Sequence, residues 1–101
     1  MGKGLEERRN TKMSDVLASV TYDCTTPKGC PFRLKAEFVD GWGFQYGNHH
    51  GIHITEDSGY EYGLDARYDN RFNTVDGFYE NILDVLEDRY TIAEARLVDK
   101  Q

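Results

Sequence analysis

The spacing of the apolar residues changes once along this 101-residue chain, and that change limits the folds open to it. Between Phe32 and Phe38 apolar and charged side chains alternate, so an extended strand there has one apolar face and one charged face. Between Phe78 and Leu86 the apolar residues recur at every fourth position instead, which is typical of an amphipathic helix. These two patterns in succession predict an antiparallel sheet covered by a helix.

Period-two segments and turn residues alternate along most of the chain, with turns about every eight to twelve residues. Asp40-Gly41 is typical of a hairpin turn. The segment 91–98 fits either a last strand, with Ala93, Ala95 and Leu97 facing inward, or a short helix. The alternating segments are Val20–Cys24, Phe32–Phe38, Trp42–Tyr46, Ile52–Ile54 and Tyr60–Leu64, the last with an extension towards Phe72 left open. On such an extension one strand face would carry a ladder of alternating charge formed by Asp65, Arg67, Asp69 and Arg71.

The helix is predicted over residues 75–89, with Asn73 or Thr74 as its N-cap. Gly77 is expected to weaken its first turn, because glycine is a poor helix former. We therefore expect an α+β domain with two layers, in which an antiparallel β-meander of about five to six strands packs on one amphipathic helix. Residues 1–13 are expected to form a flexible N-terminal tail, and residues 14–101 a single compact domain.

The charge of the chain is unevenly distributed. Residues 36–101 carry fourteen acidic and five basic side chains, a net charge of −9, whereas residues 1–35 carry seven basic and four acidic ones. The aromatic-rich middle of the chain is therefore acidic, which argues against direct binding of nucleic acid, since that requires a basic groove. No apolar stretch approaches the length of a membrane-spanning helix and no signal peptide is evident, so a cytoplasmic location is expected.

The cysteines and histidines are the soft side chains that could bind a metal. Five residues separate the two cysteines, which is too wide a spacing for a zinc knuckle, and the histidines do not match a zincin helix. In an oxidising compartment Cys24 and Cys30 could close a small disulfide loop, but in the cytoplasm free thiols are expected, with no metal and no cofactor. If a metal were bound, the candidate ligands would be Cys24, Cys30, His50 and His53.

The acidic residues form the more distinctive pattern. Asp76, Glu80 and Asp84 follow one another at four-residue intervals on the predicted helix, although like charges at that spacing are unfavourable. A surface that meets a basic partner would account for such a row, because carboxylates on a rigid surface can occupy sites otherwise held by phosphates. The predicted partner-binding residues are Glu56, Asp57, Tyr60, Glu61, Asp76, Glu80 and Asp84.

These features predict a small acidic, non-enzymatic binding protein, monomeric or homodimeric, that occludes the basic nucleic-acid-binding surface of a nuclease or similar enzyme. Small acidic α+β inhibitors carried by phages and mobile elements, including anti-CRISPR proteins, are analogous in size and charge, and such a protein would act in the cytoplasm of the host cell. One alternative is a small metal- or histidine-dependent enzyme that uses His49, His50 and His53. A second alternative is a structural or accessory subunit of a larger assembly.

Overall fold

The computed structural model describes residues 15–42 and 49–101, which form one antiparallel sheet with a helix on one face. The strand order is β4-β3-β2-β1-β5, and every neighbouring pair is antiparallel. The elements are β1 (Asp15–Thr25), β2 (Pro31–Trp42), β3 (His49–Glu56), β4 (Glu61–Asp65), a 3-10 turn (Asn70–Phe72), α1 (Val75–Arg89) and β5 (Glu94–Lys100). The α+β fold with five strands and one helix that the sequence predicts is thereby confirmed.

The core lies between the sheet and α1. Phe78, Ile82 and Leu86 on the helix are fully buried, as expected from their four-residue spacing. Phe38 stacks on Phe78 with ring centroids 5.2 Å apart, which joins the middle strand to the helix. The buried residues that the three central strands contribute are Ala18, Val20, Cys24, Leu34, Ala36, Phe38, Ile52 and Ile54. We call the opposite side of the sheet the far face.

Both ends of α1 are closed by local hydrogen bonds. The Thr74 hydroxyl accepts a hydrogen bond from the Gly77 backbone N–H at 3.0 Å, so Thr74, not Asn73, is the N-cap. At the other end the backbone N–H of Tyr90 donates to the carbonyl of Leu86 at 2.9 Å. The helix covers residues 75–89 as predicted, because its boundaries are set by neighbouring residues.

The prediction of a hairpin turn at Asp40-Gly41 is wrong. Strand β2 continues through both residues to Trp42, and its pairing with β3 shifts in register between Val39 and Trp42. An irregularity of this kind accommodates an Asp-Gly pair inside a strand, because it locally releases the backbone from the regular ladder. The predicted strand Trp42–Tyr46 and the predicted tail 1–13 fall largely or wholly outside the described residues.

The extension of β4 towards Phe72 is also absent, since the strand ends at Asp65. The Asp65 carboxylate accepts a hydrogen bond from the backbone N–H of Arg67 at 2.8 Å, and the Asp69 carboxylate accepts one from that of Arg71 at 3.0 Å. Aspartates that bind the backbone two residues later compete with strand pairing and favour turns. The charge ladder over residues 65–71 is therefore replaced by two local turns.

The last segment is a strand rather than a helix. Strand β5 pairs with β1 and forms an edge of the sheet. Ala95 is half-buried as predicted, but Ala93 is exposed and Leu97 is 45% exposed, so the prediction that these two residues face inward is wrong. At the sheet edge the strand lies beside the helix layer rather than beneath its centre, and less apolar surface is covered there.

Candidate functional site

The outer surface of α1 is a continuous acidic surface, which we call the acidic helix face. The residues that face the sheet are Phe78, Ile82 and Leu86, so residues two positions away point to solvent. Five exposed carboxylates occupy this outer surface, and the helix carries one basic residue, Arg89, at its last position. The five acidic residues of this face are Asp76, Glu80, Asp84, Glu87 and Asp88.

Within residues 15–42 and 49–101, no lysine, arginine or histidine nitrogen lies within 4.0 Å of a carboxylate on the acidic helix face. The charge of Arg71 interacts with two of these carboxylates. Its hydrogen bond with Asp69 raises the pKa of Arg71, and the charges of Asp84 and Asp88 raise it further. The Arg71 guanidinium lies 2.8 Å from the Asp69 carboxylate, so its ion pair is with the 3-10 turn and not with the helix.

The far face of the sheet is charged but internally compensated. Asp23 lies between two arginines, 2.6 Å from Arg33 Nε and 3.0 Å from Arg96. The hydrogen bond from Arg33 lowers the pKa of the Asp23 carboxyl. On the next strands His53 bridges two carboxylates, with 3.1 Å from Nδ1 to Glu37 and 2.9 Å from Nε2 to Glu61. Asp23, Glu37 and Glu61 on this face are therefore already paired within the chain.

A surface depression of about 880 Å³ lies at the end of β1, β2 and β5, lined in part by Asp23, Arg33, Arg96 and Asp57. Both of its arginines donate to Asp23, so their charge is partly neutralised before any ligand enters. Asp57 accepts a hydrogen bond from the backbone N–H of Arg33 at 3.1 Å, which fixes the β3–β4 turn against β2. The charged residues of this depression therefore stabilise the fold and leave little free positive charge for an anion.

The β3–β4 hairpin holds the other four predicted partner-binding residues, and they differ in how free they are. Glu56 accepts hydrogen bonds from the hydroxyls of Tyr90, at 2.8 Å, and Ser58, at 3.1 Å. Asp57 is bound to the backbone of β2, and Glu61 is bound to His53 on the far face. Tyr60 is the free one, with 61% of its surface exposed.

Tyr60 belongs to a row of aromatic rings that the sequence interpretation missed. Its ring lies 5.7 Å from that of Tyr62, which lies 6.5 Å from Tyr90, whose ring is in turn 6.0 Å from Phe32. The guanidinium of Arg89 sits 4.9 Å above the Tyr62 ring, a cation–π contact. Burial raises the pKa of the Tyr90 hydroxyl, helped by its hydrogen bonding. The alternation of Tyr60 and Tyr62 was visible in the sequence, but the approach of residues 89–90 was not.

This row borders a depression of about 570 Å³ beside the C-terminal end of α1, lined by Glu56, Tyr60, Tyr62, Asp88 and Tyr90, among others. Asp88, on the acidic helix face, and Glu56, on the hairpin, therefore border the same hollow. Glu61 and the first turns of α1 do not meet there, because Glu61 belongs to the far face. The seven predicted residues thus form two groups, one on the helix and one on the hairpin, with the hollow between them.

The four candidate metal ligands do not converge. Cys24 is buried under the helix and Cys30 is exposed in the β1–β2 turn, and both are free thiols. His50 lies on the helix side, where its ring is 4.6 Å from that of Phe38, whereas His53 lies on the far face. In the described part of the chain no three His, Cys, Asp or Glu side chains are placed to share a metal ion.

The three histidines of the enzymatic alternative are likewise separated. His49 has its Nε2 atom 3.3 Å from the Asp65 carboxylate, and His50 is 4.0 Å from that of Asp40. His53 is held by two glutamates. Each histidine thus has its own carboxylate neighbour. His50 and His53 are three positions apart on β3, so their side chains point to opposite faces of the sheet and do not share a site.

Comparison of this chain with protein-family models, with curated proteins and with solved structures finds no match. Across the described segments, none of the helices combines the length and the apolar character that a membrane span requires.

Proposed function

We propose that this protein is a small acidic, non-enzymatic binding protein that docks the acidic helix face on a basic surface of a nucleic-acid-processing protein and thereby occludes it. One observation carries the proposal. The carboxylates of α1 have no ion-pair partner among the described residues, whereas Asp23, Glu37 and Glu61 on the far face all do. Uncompensated charge on a rigid element is available to a partner.

The spacing of these carboxylates suits the role. Asp76, Glu80 and Asp84 are four residues apart on a helix, so successive Cα atoms are about 6 Å apart along its axis. Like charges at this spacing destabilise a helix by a few tenths of a kcal/mol per pair. A basic groove that normally binds a phosphate backbone would relieve that repulsion, because it supplies lysines and arginines in place of counterions.

Tyr60 and the hairpin carboxylates form the second part of the contact surface. An exposed tyrosine beside a hollow is a common anchor at protein interfaces, because its ring buries a large area at a low cost in side-chain entropy. Glu56 and Asp57 have structural hydrogen bonds, so their contribution is the field they add at this end of the molecule. The helix carboxylates are thus expected to contribute more to binding than the hairpin carboxylates.

More specifically, we propose that the protein is an inhibitor of the anti-CRISPR type, carried by a phage or a mobile element. It would act in the cytoplasm of the host cell and without a cofactor. The target would be a nuclease or another enzyme with a basic channel. Binding there excludes nucleic acid by occupying its site, without any chemical step.

The test compares two charge-reversed variants with the wild type in affinity capture from the source cell, followed by binding measurements on the captured partner. Asp76, Glu80 and Asp84 are changed together to lysine in the first variant. In the matched control Asp15, Asp40 and Glu94 are changed to lysine, which gives the same charge change on β1, β2 and β5. The helix variant should lose binding, the control should keep most of it, and the melting temperatures should show that both are folded.

Two further measurements separate this function from simple solubility. Association should slow markedly between low and physiological salt, while dissociation changes less, because electrostatic attraction mainly acts on the approach of the two proteins. A nucleic-acid ligand of the partner should compete with the protein. A partner that binds the folded helix variant as tightly as the wild type, or that binds nucleic acid and this protein simultaneously, would refute the proposal.

A further inference from the structure

The two edges of the sheet differ in a way that concerns self-association. Strands β4 and β5 lie at the edges, and within the described residues no strand pairs with their outer sides. An edge strand exposes unpaired backbone N–H and C=O groups, which pair with another strand unless charge or shape prevents it. Which strand an edge accepts depends on the side chains that it would place opposite each other.

The outward backbone groups of β5 follow from its pairing with β1. Ser19 and Gln101 exchange two hydrogen bonds of 2.8 Å, so they form a hydrogen-bonded pair of the antiparallel ladder. Such pairs alternate with non-bonded ones along β1. The β5 partners of Val20, Tyr22 and Cys24 therefore direct their N–H and C=O groups outward, and these partners are Lys100, Leu97 and Ala95.

The side chains of β5 are complementary to a second copy of the same strand. We infer that two copies of this chain pair antiparallel through β5, in the register that places Arg96 of each copy opposite Asp99 of the other. Arg96 and Asp99 both lie on the far face, because their partners on β1 are Asp23 and Thr21. Each copy thus supplies one anion, Asp99, and one cation, Arg96, whose guanidinium also lies 3.0 Å from Asp23 of its own chain. Two opposite-charge pairs then flank the two-fold axis.

The same register satisfies the other groups of this edge. Ala95 of one copy lies opposite Lys100 of the other, and both have outward backbone groups that can exchange hydrogen bonds. At the two-fold axis Leu97 meets Val98, which are 45% and 36% exposed in the single chain. The register shift of β5 between the partners of Thr21 and Tyr22 places Arg96 and Asp99 on the same face of one strand although they are three residues apart. Arg96 of one copy and Asp99 of the other can therefore lie opposite each other.

The β4 edge lacks this complementarity. An antiparallel copy of β4 centred on Gly63 would place Glu61 opposite Asp65 of the second copy, and both side chains are acidic. Like charges directly opposite each other destabilise a strand pair. The chain therefore disfavours self-pairing at β4 and favours it at β5.

Pairing at β5 would give a continuous ten-stranded sheet. The two-fold axis of this dimer is perpendicular to the sheet, because it relates two antiparallel β5 strands and keeps the helix side of both copies on the same side of the sheet. Both α1 helices, with their acidic faces, then lie on the same side of the sheet. The dimer does not depend on the proposed function, but it would present two acidic helix faces to a partner on that side.

The test is sedimentation equilibrium of the purified protein over a range of concentrations, with three variants. Asp99→Arg places two arginines opposite each other at both pairs that flank the axis, and it should weaken dimerisation roughly tenfold or more. Adding Arg96→Asp to it restores opposite charges and should restore the dimer. Asp15→Arg makes the same charge change on β1, away from this edge, and should leave dimerisation unaltered.

Circular dichroism and the melting temperature show whether each variant is folded. Should the charge variants fail to fold, Ala95→Pro tests the same edge, because it removes an outward N–H and leaves the β1 ladder its donors. That variant is expected to be monomeric. A wild type that remains monomeric at all concentrations, or a dimer that survives in the folded Asp99→Arg or Ala95→Pro variant, would overturn the inference.

Discussion

Replacing Gly77 by alanine sets two physical effects against each other. Gly77 is the third residue of α1, and alanine stabilises a helix by up to about 1 kcal/mol relative to glycine. From helix propensity alone, Gly77→Ala should stabilise the protein. The structure predicts the opposite, because there is no room for a methyl group at this position.

A Cβ atom built on Gly77 would overlap the carbonyl oxygen of Arg71 and lie 3.3 Å from the Thr74 hydroxyl. The first contact is far shorter than any that real Cβ atoms make, and it involves backbone that a side-chain rotation cannot move. Forcing an extra methyl group into a packed site costs about 1–3 kcal/mol. The required shift would also lengthen the N-cap hydrogen bond from Gly77 to Thr74, now 3.0 Å.

Because the overlap with the Arg71 backbone is severe, the upper end of that cost applies, and subtracting the gain in propensity leaves a net loss of about 2 kcal/mol of unfolding free energy. For a domain of this size, that loss lowers the melting temperature by roughly 8–16 °C. Thermal unfolding followed by circular dichroism measures this change in melting temperature. Glu80→Ala, on the exposed side of the same helix, is the control, and its unfolding free energy is expected to stay within about 0.5 kcal/mol of the wild type. A Gly77→Ala variant that melts at or above the wild-type temperature would show that the close approach of Arg71 to α1 is not real.

Two further predictions concern the core and the thiols. Ile82→Ala and Leu86→Ala should each cost about 2–5 kcal/mol in urea unfolding, because both side chains are fully buried against the sheet, and losses below about 0.5 kcal/mol at both positions would contradict that packing. Burial raises the pKa of the Cys24 thiol, whereas Cys30 is exposed. A thiol reagent should therefore modify only Cys30 in the native protein and both cysteines in urea. Rapid modification of both in the native state would contradict the burial of Cys24.

The parts of the fold that depend on neighbouring residues could be predicted from the sequence. The bounds of α1 follow from its apolar period and from the threonine before it. Alternation alone predicts the inward positions of β1 and β2. The prediction was wrong where a turn signal and a strand signal competed. Asp40-Gly41 is a turn sequence that lies inside the long strand β2. At Asp65 the alternating pattern continues, but the Asp65 carboxylate accepts a hydrogen bond from the backbone of Arg67 and β4 ends.

The candidate site was predictable in its residue types but not in its charge balance. The four-residue spacing of Asp76, Glu80 and Asp84 predicts a row on one side of a helix, and the structure places the row there. Whether a carboxylate is free depends on contacts between distant parts of the chain, such as that of Asp23 with Arg96, 73 residues away. Pattern and composition carry no information on such contacts, so Glu61, bound to His53, looked as free as Glu80.

Two cations near α1 contact aromatic rings and not the helix carboxylates. Arg89, at the end of the helix, lies 4.9 Å above the ring of Tyr62, and Lys100, on β5, lies 4.4 Å above that of Tyr79. Within the described segments these two cations thus contact aromatic rings, while the ion pairs form on the far face and in the turns. A chain that needed its acidic groups only for solubility would gain by pairing some of those on the helix with these neighbouring cations, since like charges four residues apart destabilise it. We therefore propose that cations from another molecule compensate this row.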